Sequence, residues 1–134
     1  ERRLRHWLAF LYFCRGSMLL YGGTEFAPRR QVGLFDADDN FGDKRSDLSD
    51  FLRRCKAMKQ TLPLECAVWY EVSGGAVIGH YKSPAGERTG VFDLSGCGGR
   101  VSVALADGVY ENQLGGDLTV TDGHVRTDGD PIVF

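Results

Sequence analysis

Residues 107–126 read DGVYENQLGGDLTVTDGHVR, and this stretch decides the fold class of the second half of the chain. Asp-Gly and Gly-Gly pairs separate short runs that are rich in Val, Leu, Thr and Tyr. Asp-Gly between β-branched runs is the strongest short-range signal of a β-hairpin. The stretch therefore predicts antiparallel strands that are joined by tight turns.

The same alternation of short β-rich runs and turns continues on both sides of this stretch, over residues 64–134. Glycine makes up 18 of the 134 residues, about twice the usual share of ~7%. We predict a seven- or eight-stranded antiparallel Greek-key sandwich. Its strands are expected at residues 65–72, 76–82, 89–94, 101–105, 109–112, 118–121, 124–126 and 132–134.

The first segment, residues 1–63, opens with a helical pattern over residues 2–15. Every residue from Trp7 to Cys14 is apolar or aromatic, and a helix that is apolar on all sides must be covered on all sides. Arg15 and Gly16 end the run far short of the ~20 residues that span a bilayer. We therefore expect this helix to pack against the β-domain or to form a homodimer.

A buried strand and a second helix are predicted after the first helix. The apolar run at residues 17–21 is typical of a strand in a parallel sheet. Residues 48–60 have an amphipathic helical pattern, with Asp47 as the expected N-cap. Helix, strand and helix are part of a repeating α/β unit, which needs neighbouring strands to close its sheet.

The net charge bears on the kind of partner, and the cysteine content bears on the cellular location. The net charge is -2 and the isoelectric point is near 5.9, which predicts neither a nucleic-acid partner nor a membrane partner. The four cysteines form no Cys-x-x-Cys pair, so we interpret them as free thiols rather than as a disulfide pair. Free thiols slightly favour a cytoplasmic location, but the sequence leaves the location open.

Several motifs together resemble the end of an α-amylase superfamily enzyme of glycoside hydrolase family 13. The family's eighth barrel strand has the pattern Gly-x-Pro, apolar strand, Gly-x-Glu. Gly16, the run at 19–21, Gly23 and Glu25 match that pattern, while Met18 replaces the usual Pro. Further matches are the Gly-Leu-Phe-Asp run at 33–36, the second helix, the run at 107–112 and the ending at 131–134.

This resemblance implies that residues 1–63 are the remnant of a (β/α)8 barrel and that residues 64–134 are the C-terminal β-domain. The parent protein is then a glycosidase that acts on α-glucan or oligosaccharide. The family's three catalytic acids lie at the ends of its fourth, fifth and seventh strands, which would precede Glu1. We therefore expect no catalytic residue and no cofactor in this segment, and its main partner is the missing N-terminal catalytic barrel.

The candidate substrate-binding residues are Glu25, Arg29 and Arg30. Glu25 follows the predicted strand at the barrel end where active sites lie, although a carboxylate that joins neighbouring loops is the alternative we favour. The two arginines either line a sugar site or face solvent. The run of Asp and Asn at 36–47 is similar to a calcium loop, but the sixth position lacks the required Gly, so we expect no metal site.

Histidines and aromatic residues are the remaining candidates for a functional site. His6, His80 and His124 have no ligand spacing, so we expect structural roles. Four aromatic residues of the β-domain, Trp69, Tyr70, Tyr81 and Tyr110, offer rings for stacking on sugars, although Trp69 and Tyr70 must point to opposite faces of one strand. A carbohydrate-binding module, or a non-catalytic relative that serves as an interaction partner, is therefore the alternative function.

Overall fold

The computed structural model describes residues 1–28 and 44–134. It contains two helices, α1 (Arg2–Phe13) and α2 (Ser49–Thr61), with a short 3-10 turn (Thr24–Phe26) between them. The strands that follow are β1 (Ala67–Ser73), β2 (Ala76–Ser83), β3 (Gly86–Phe92), β4 (Arg100–Ser102), β5 (Gly108–Glu111), β6 (Asp117–Val120), β7 (His124–Arg126) and β8 (Ile132–Val133).

The predicted class, mainly β with helices, is confirmed. Each of the eight predicted strands corresponds to an observed strand, and every pairing between them is antiparallel. In the described part of the chain, neither helix is long and apolar enough to cross a membrane.

The prediction of a strand at residues 17–21 is wrong, because these residues form no strand in the structure. These residues follow the end of α1 without joining any sheet, and the side chain of Leu19 is 92% exposed. A strand of a parallel sheet needs neighbouring strands for its backbone hydrogen bonds. None of the strands in the described residues pairs with this run. Met18 and Leu20 are partly buried against the helix-face core, whereas Leu19 and Tyr21 stay in contact with solvent.

Three sheets make up the β-domain. The largest has the order β1-β2-β3-β8, and the two others are two-stranded ribbons, β4-β7 and β5-β6. Strand β8 returns from the end of the chain to pair with β3, with Gly90 opposite Val133. The side chain of Asn112 holds this return in place, because it donates to the carbonyl of Pro131 at 3.0 Å and accepts from the N–H of Val133 at 3.0 Å.

Each face of the large sheet is covered by a different layer. On the helix face, the side chains of Tyr81, Phe92 and Val133 join one core with α1 and α2. On the ribbon face, a second core combines sheet residues with the ribbons. Its members are Ala76, Ile78, Val91, Val101, Leu118, Val120, Val125 and Ile132. The period-2 alternation of the strands therefore divides the domain into a helix layer, a sheet and a ribbon layer.

Helix α1 packs against the β-domain, which is one of the two arrangements that the sequence predicted. Its inner face buries Leu8, Ala9, Tyr12 and Phe13. Its outer face leaves Trp7 and Leu11 40% and 42% exposed. The helix is thus covered on one side only, although its sequence is apolar on every side.

Helix α2 begins one residue later than predicted. Leu48, rather than Asp47, is its N-cap, and the Asp47 carboxylate accepts a hydrogen bond from the Ser49 N–H at 2.9 Å. Hydrogen bonding by the Ser49 side chain, and then by this N–H, lowers the pKa of Asp47. The predicted cap residue therefore still satisfies one of the free N–H groups at the helix start, from the position before the cap.

Candidate functional site

A cleft opens on the ribbon face of the large sheet, where the apolar core of that face ends. Strand β2 directs Ala76, Ile78 and His80 to this face, so its side chains change from apolar to polar along the strand. The register places Thr89 of β3 opposite His80. Backbone hydrogen bonds join Thr89 to Phe134 beyond β8. This row of residues forms the floor of the cleft.

His80 is the centre of a network on this floor. The ring of Trp69 stacks on its imidazole, with 4.8 Å between the ring centroids and 14° between the planes. Its Nε2 lies 3.2 Å from Oε1 of Glu71, and its Nδ1 lies 3.3 Å from Oγ1 of Thr89. In the neutral ring, Nε2–H donates to Glu71 and Nδ1 accepts from the Thr89 hydroxyl. Contacts from the two neighbouring strands, β1 and β3, therefore fix the orientation of the imidazole.

Strands β4 and β5 and the loop between them supply the opposite wall. The cleft has a volume of about 630 Å³ and is lined on this side by Val103, Leu105, Tyr110 and Glu111. The Tyr110 hydroxyl donates to the carbonyl of Ala106 at 2.9 Å, which holds the ring in the wall. The site thus combines aromatic surface with polar groups, the usual composition of a ligand pocket.

The cleft is rich in hydrogen-bond acceptors. Its lining includes the carboxylates of Glu71, Glu87 and Glu111, and the carboxylate of Glu87 pairs with the ammonium of Lys82 at 2.9 Å. Within residues 1–28 and 44–134, no group of three or more His, Cys, Asp and Glu side chains has a geometry that would hold a metal ion. Carboxylate oxygens accept hydrogen bonds, so the lining offers acceptors on both sides of the cleft.

A second, smaller hollow of about 320 Å³ lies where α1 ends, and its cations already have partners. Lys59 of α2 donates to the carbonyls of Tyr12 and Cys14 at 3.1 and 2.7 Å. Arg15 donates to the carbonyl of Cys66. The Lys59 bonds satisfy carbonyls at the end of α1, and the Arg15 bond ties that end to the start of the β-domain, so the hollow is a structural joint.

Of the three predicted substrate-binding residues, the structure describes Glu25, and Glu25 does not line this cleft. Glu25 lies in the 3-10 turn, and its backbone carbonyl accepts a hydrogen bond from the N–H of Leu48 at 2.7 Å, which ties that turn to the start of α2. Arg29 and Arg30 lie outside the described residues, as does most of the run at 36–47 that is similar to a calcium loop. A substrate role for Glu25 stays a prediction.

His6 has a structural role, as predicted. Its side chain is fully buried, its Nδ1 accepts from the N–H of Asp93 at 2.9 Å, and its Nε2 lies 3.1 Å from the carbonyl of Gly129. Nε2 must carry the proton, because Nδ1 acts as an acceptor. Burial lowers the pKa of this imidazole, so His6 is a neutral link between α1, the end of β3 and the last loop.

Asp93 organises the loop that follows β3. Its Oδ1 accepts from the Ser95 hydroxyl at 2.6 Å and from the N–H of Gly96 at 2.9 Å, while Oδ2 accepts from the N–H of Gly98 at 2.7 Å. Burial opposes ionisation, but these hydrogen bonds outweigh it and lower the pKa of the carboxyl. The glycine-rich loop is thus a structural turn around a buried carboxylate.

The four aromatic residues that the sequence singled out in the β-domain lie on both faces of the large sheet, as the alternation along a strand requires. Trp69 stacks on His80 on the ribbon face, whereas Tyr70 contacts Phe10 of α1 edge-on, with the ring centroids 6.0 Å apart. Tyr81 is buried in the helix-face core, and Tyr110 lines the cleft. The sequence therefore named two aromatic residues at or beside the cleft.

Sequence reasoning missed most of the cleft lining. Glu71 lies in no motif, and the runs that contain Glu111 and Phe134 pointed to the family rather than to a site. The three residues come together only because β1, β5 and the end of the chain meet around one face. The change from Ile78 to His80 in an alternating strand is the one signal that could have pointed to the site. All four cysteines are free thiols, as predicted, with Cys55 buried and Cys97 exposed.

Comparisons with known proteins agree with this architecture. Residues 70–134 match the family described as the bacterial alpha-amylase C-terminal domain. An α-amylase from Lactobacillus plantarum is similar at a TM-score of 0.87 and 29% sequence identity, over 99% of this chain and 32% of that one. Among curated proteins, none matches the sequence significantly.

A noncanonic maltogenic α-amylase, AmyB, from Thermotoga neapolitana shares the fold at a TM-score of 0.67 and 11% identity, over 100% of this chain and 36% of that one. The chain thus spans about a third of the length of these two proteins. Residues 70–134 thus match an alpha-amylase C-terminal domain, and the described part of the chain is similar in fold to the C-terminal part of an α-amylase. The resemblance predicted from the sequence is confirmed.

Proposed function

We propose that this chain is the C-terminal segment of an α-amylase-type glycoside hydrolase that acts on α-glucan or oligosaccharide. Alone it is non-catalytic, and within the parent enzyme it completes and stabilises the catalytic barrel. Residues 1–63 are then the last part of the barrel, and residues 64–134 are the C-terminal domain.

The exposed apolar surface next to α1 is the observation that carries this proposal. Trp7 and Leu11 on its outer face, together with Leu19 and Tyr21 beyond its end, are large apolar side chains in contact with solvent. Trp7 and Leu11 are neighbours at i, i+4 on the helix surface, and an exposed apolar patch is typical of a protein interface. The catalytic barrel is the occupant we propose, because residues 17–21 would then gain the neighbouring strands that they lack.

A complementation experiment tests this function. The L. plantarum α-amylase would be truncated before the region that is similar to this chain and coexpressed with residues 1–134. We expect a stable complex that hydrolyses starch or maltooligosaccharides, while neither piece does so alone. A well-folded, stable complex without activity would favour a non-catalytic relative that serves as an interaction partner, and failure to form any complex would contradict the proposed role.

A carbohydrate-binding module is the second candidate, favoured by the cleft beside Trp69. This function predicts that the chain alone is retained on insoluble starch and is released by soluble maltooligosaccharide. Passage of the folded chain through the column without delay would count against it. The two functions are compatible, because one uses the outer face of α1 and the other uses the ribbon face of the sheet.

A further inference from the structure

We propose that the cleft on the ribbon face binds a short, uncharged α-glucan chain, held by acceptors on both walls and by an aromatic floor. The choice of an α-glucan rests on the proposed function, whereas the choice of an uncharged, hydroxyl-rich ligand rests on the cleft itself. Its volume of about 630 Å³ lies within the range of ~300–1,000 Å³ that is common for small-ligand pockets.

The charge of the lining selects against an acidic ligand. Glu71, Glu87 and Glu111 are carboxylates, and the neighbouring cation, Lys82, is paired with Glu87. A phosphate or carboxylate ligand would meet like charges at short range, which is unfavourable. A metal ion fits no better, because the described residues contain no metal-binding cluster of acidic, His or Cys side chains.

The carboxylates suit donors that are themselves neutral. Glu71 uses Oε1 for His80, which leaves Oε2 to accept a hydroxyl, and Glu111 stands on the other wall. Hydrogen bonds to an ionised acceptor are stronger than those between neutral groups. A ligand with several hydroxyls could therefore bridge the two walls.

The floor offers apolar surface for the C–H face of a pyranose ring. Phe134 on the floor and Tyr110 on the facing wall supply aromatic surface. The imidazole of His80 is held by Trp69, Glu71 and Thr89. Because these contacts fix the ring before a ligand arrives, little conformational entropy is lost on binding. The lining thus presents aromatic surface and polar groups side by side.

The fluorescence of Trp69 can report ligand binding in the cleft. The chain has two tryptophans, so a Trp7→Phe variant leaves Trp69 as the only one, stacked on the cleft floor. Titration of this variant with maltopentaose should give a saturable change in emission. Cellopentaose should bind at least tenfold more weakly, and equal affinity for both would overturn the assignment to α-glucans.

Two variants and a matched control locate the binding. Glu111→Ala and Glu71→Ala should each weaken maltopentaose binding about tenfold, as expected for the loss of one hydrogen bond to a charged acceptor. Glu65→Ala changes an exposed glutamate that does not line the cleft and should leave the affinity unchanged. Thermal unfolding of all three variants confirms that the fold is intact.

The proposal is overturned if maltopentaose produces no saturable change, or if the two cleft variants bind as well as the control. Tighter binding of an oligoamine than of maltopentaose would assign the carboxylates to a cationic ligand and would also overturn it. Because the titration uses the chain alone, it can succeed when barrel complementation fails, and the reverse also holds. The two proposals therefore fail independently.

Discussion

The ring of Phe13 in α1 lies directly over Gly79 in β2, so close that a Cβ on that glycine would stand 2.6 Å from Cε1 of the ring. The hydroxyl of Tyr81 donates to the carbonyl of Phe13 at 2.6 Å, and the Tyr81 ring meets the Phe13 ring edge-on at 5.0 Å. Gly90 faces Gly79 across the strands, and a Cβ there would also crowd Phe13. Two glycines thus make the hollow that receives the helix.

We expect Gly79→Ala to destabilise the chain by about 1–3 kcal/mol, because the added methyl group overpacks this joint. Urea unfolding measures the change. Gly22→Ala is the matched control, since a Cβ at that position would have no other atom within 4 Å and stability should change little. An equal effect of both substitutions would contradict the role of Gly79 in docking.

Lys59→Met should lower the free energy of unfolding by about 1–2 kcal/mol, because two carbonyls at the end of α1 lose their donor. Lys56→Met, on the exposed side of the same helix, is the control for the loss of charge and should have almost no effect. Chemical denaturation of the two variants in parallel separates hydrogen bonding from net charge.

The stability of the chain should fall as the pH drops below about 6.5 because of His6. Its pKa in the folded state is lowered by burial from the ordinary value of 6.5, so the unfolded chain binds a proton first. The loss of stability begins near pH 6.5 and ends once the pH is below the folded pKa. Unfolding curves between pH 7.5 and 5 check this.

His6→Asn is the variant to compare with the native chain over that range. An asparagine is neutral throughout, so its unfolding free energy should vary less with pH, although it is lower at neutral pH. A slope identical to that of the native chain would show that other groups cause the dependence.

Asp93→Asn should lower the free energy of unfolding by about 3 kcal/mol, because the amide cannot accept every hydrogen bond that Ser95, Gly96 and Gly98 donate. The folded pKa of Asp93 is lowered, so its contribution is present above the ordinary value near 3.8 and is lost as the pH falls through the folded pKa. Asp117→Asn, at an exposed position, is the control, and unfolding at pH 7 gives the difference.

Leu11→Asp should leave the unfolding of the chain alone almost unchanged, because this side chain is on the exposed face of α1. In the complementation experiment, the same substitution should reduce complex formation at least tenfold, since it places a charge in the proposed barrel interface. Leu8→Asp, on the buried face, should instead unfold the chain. If the Leu11→Asp variant complements as well as the native chain, the exposed face of α1 is not part of the proposed barrel interface.

Local patterns predicted the secondary structure well because it depends on neighbouring residues. Asp-Gly turns and β-branched runs led to all eight strands, and the amphipathic pattern of residues 48–60 led to α2 within about a residue of its bounds. The strand at 17–21 failed for a physical reason. Its apolar sequence is suited to a sheet, but a strand forms only where a partner strand supplies hydrogen bonds.

The sequence by itself determined the β-rich class, the positions of the turns and the likeness to an α-amylase C-terminal part, since each resides in short runs of residues. Only the tertiary structure decided that α1 covers one face of the sheet and that Glu71, His80 and Glu111 surround one cleft. Those residues are up to 40 positions apart in the chain. Strand register and the pairing of β8 with β3 bring distant segments together, and neither is encoded in a local pattern.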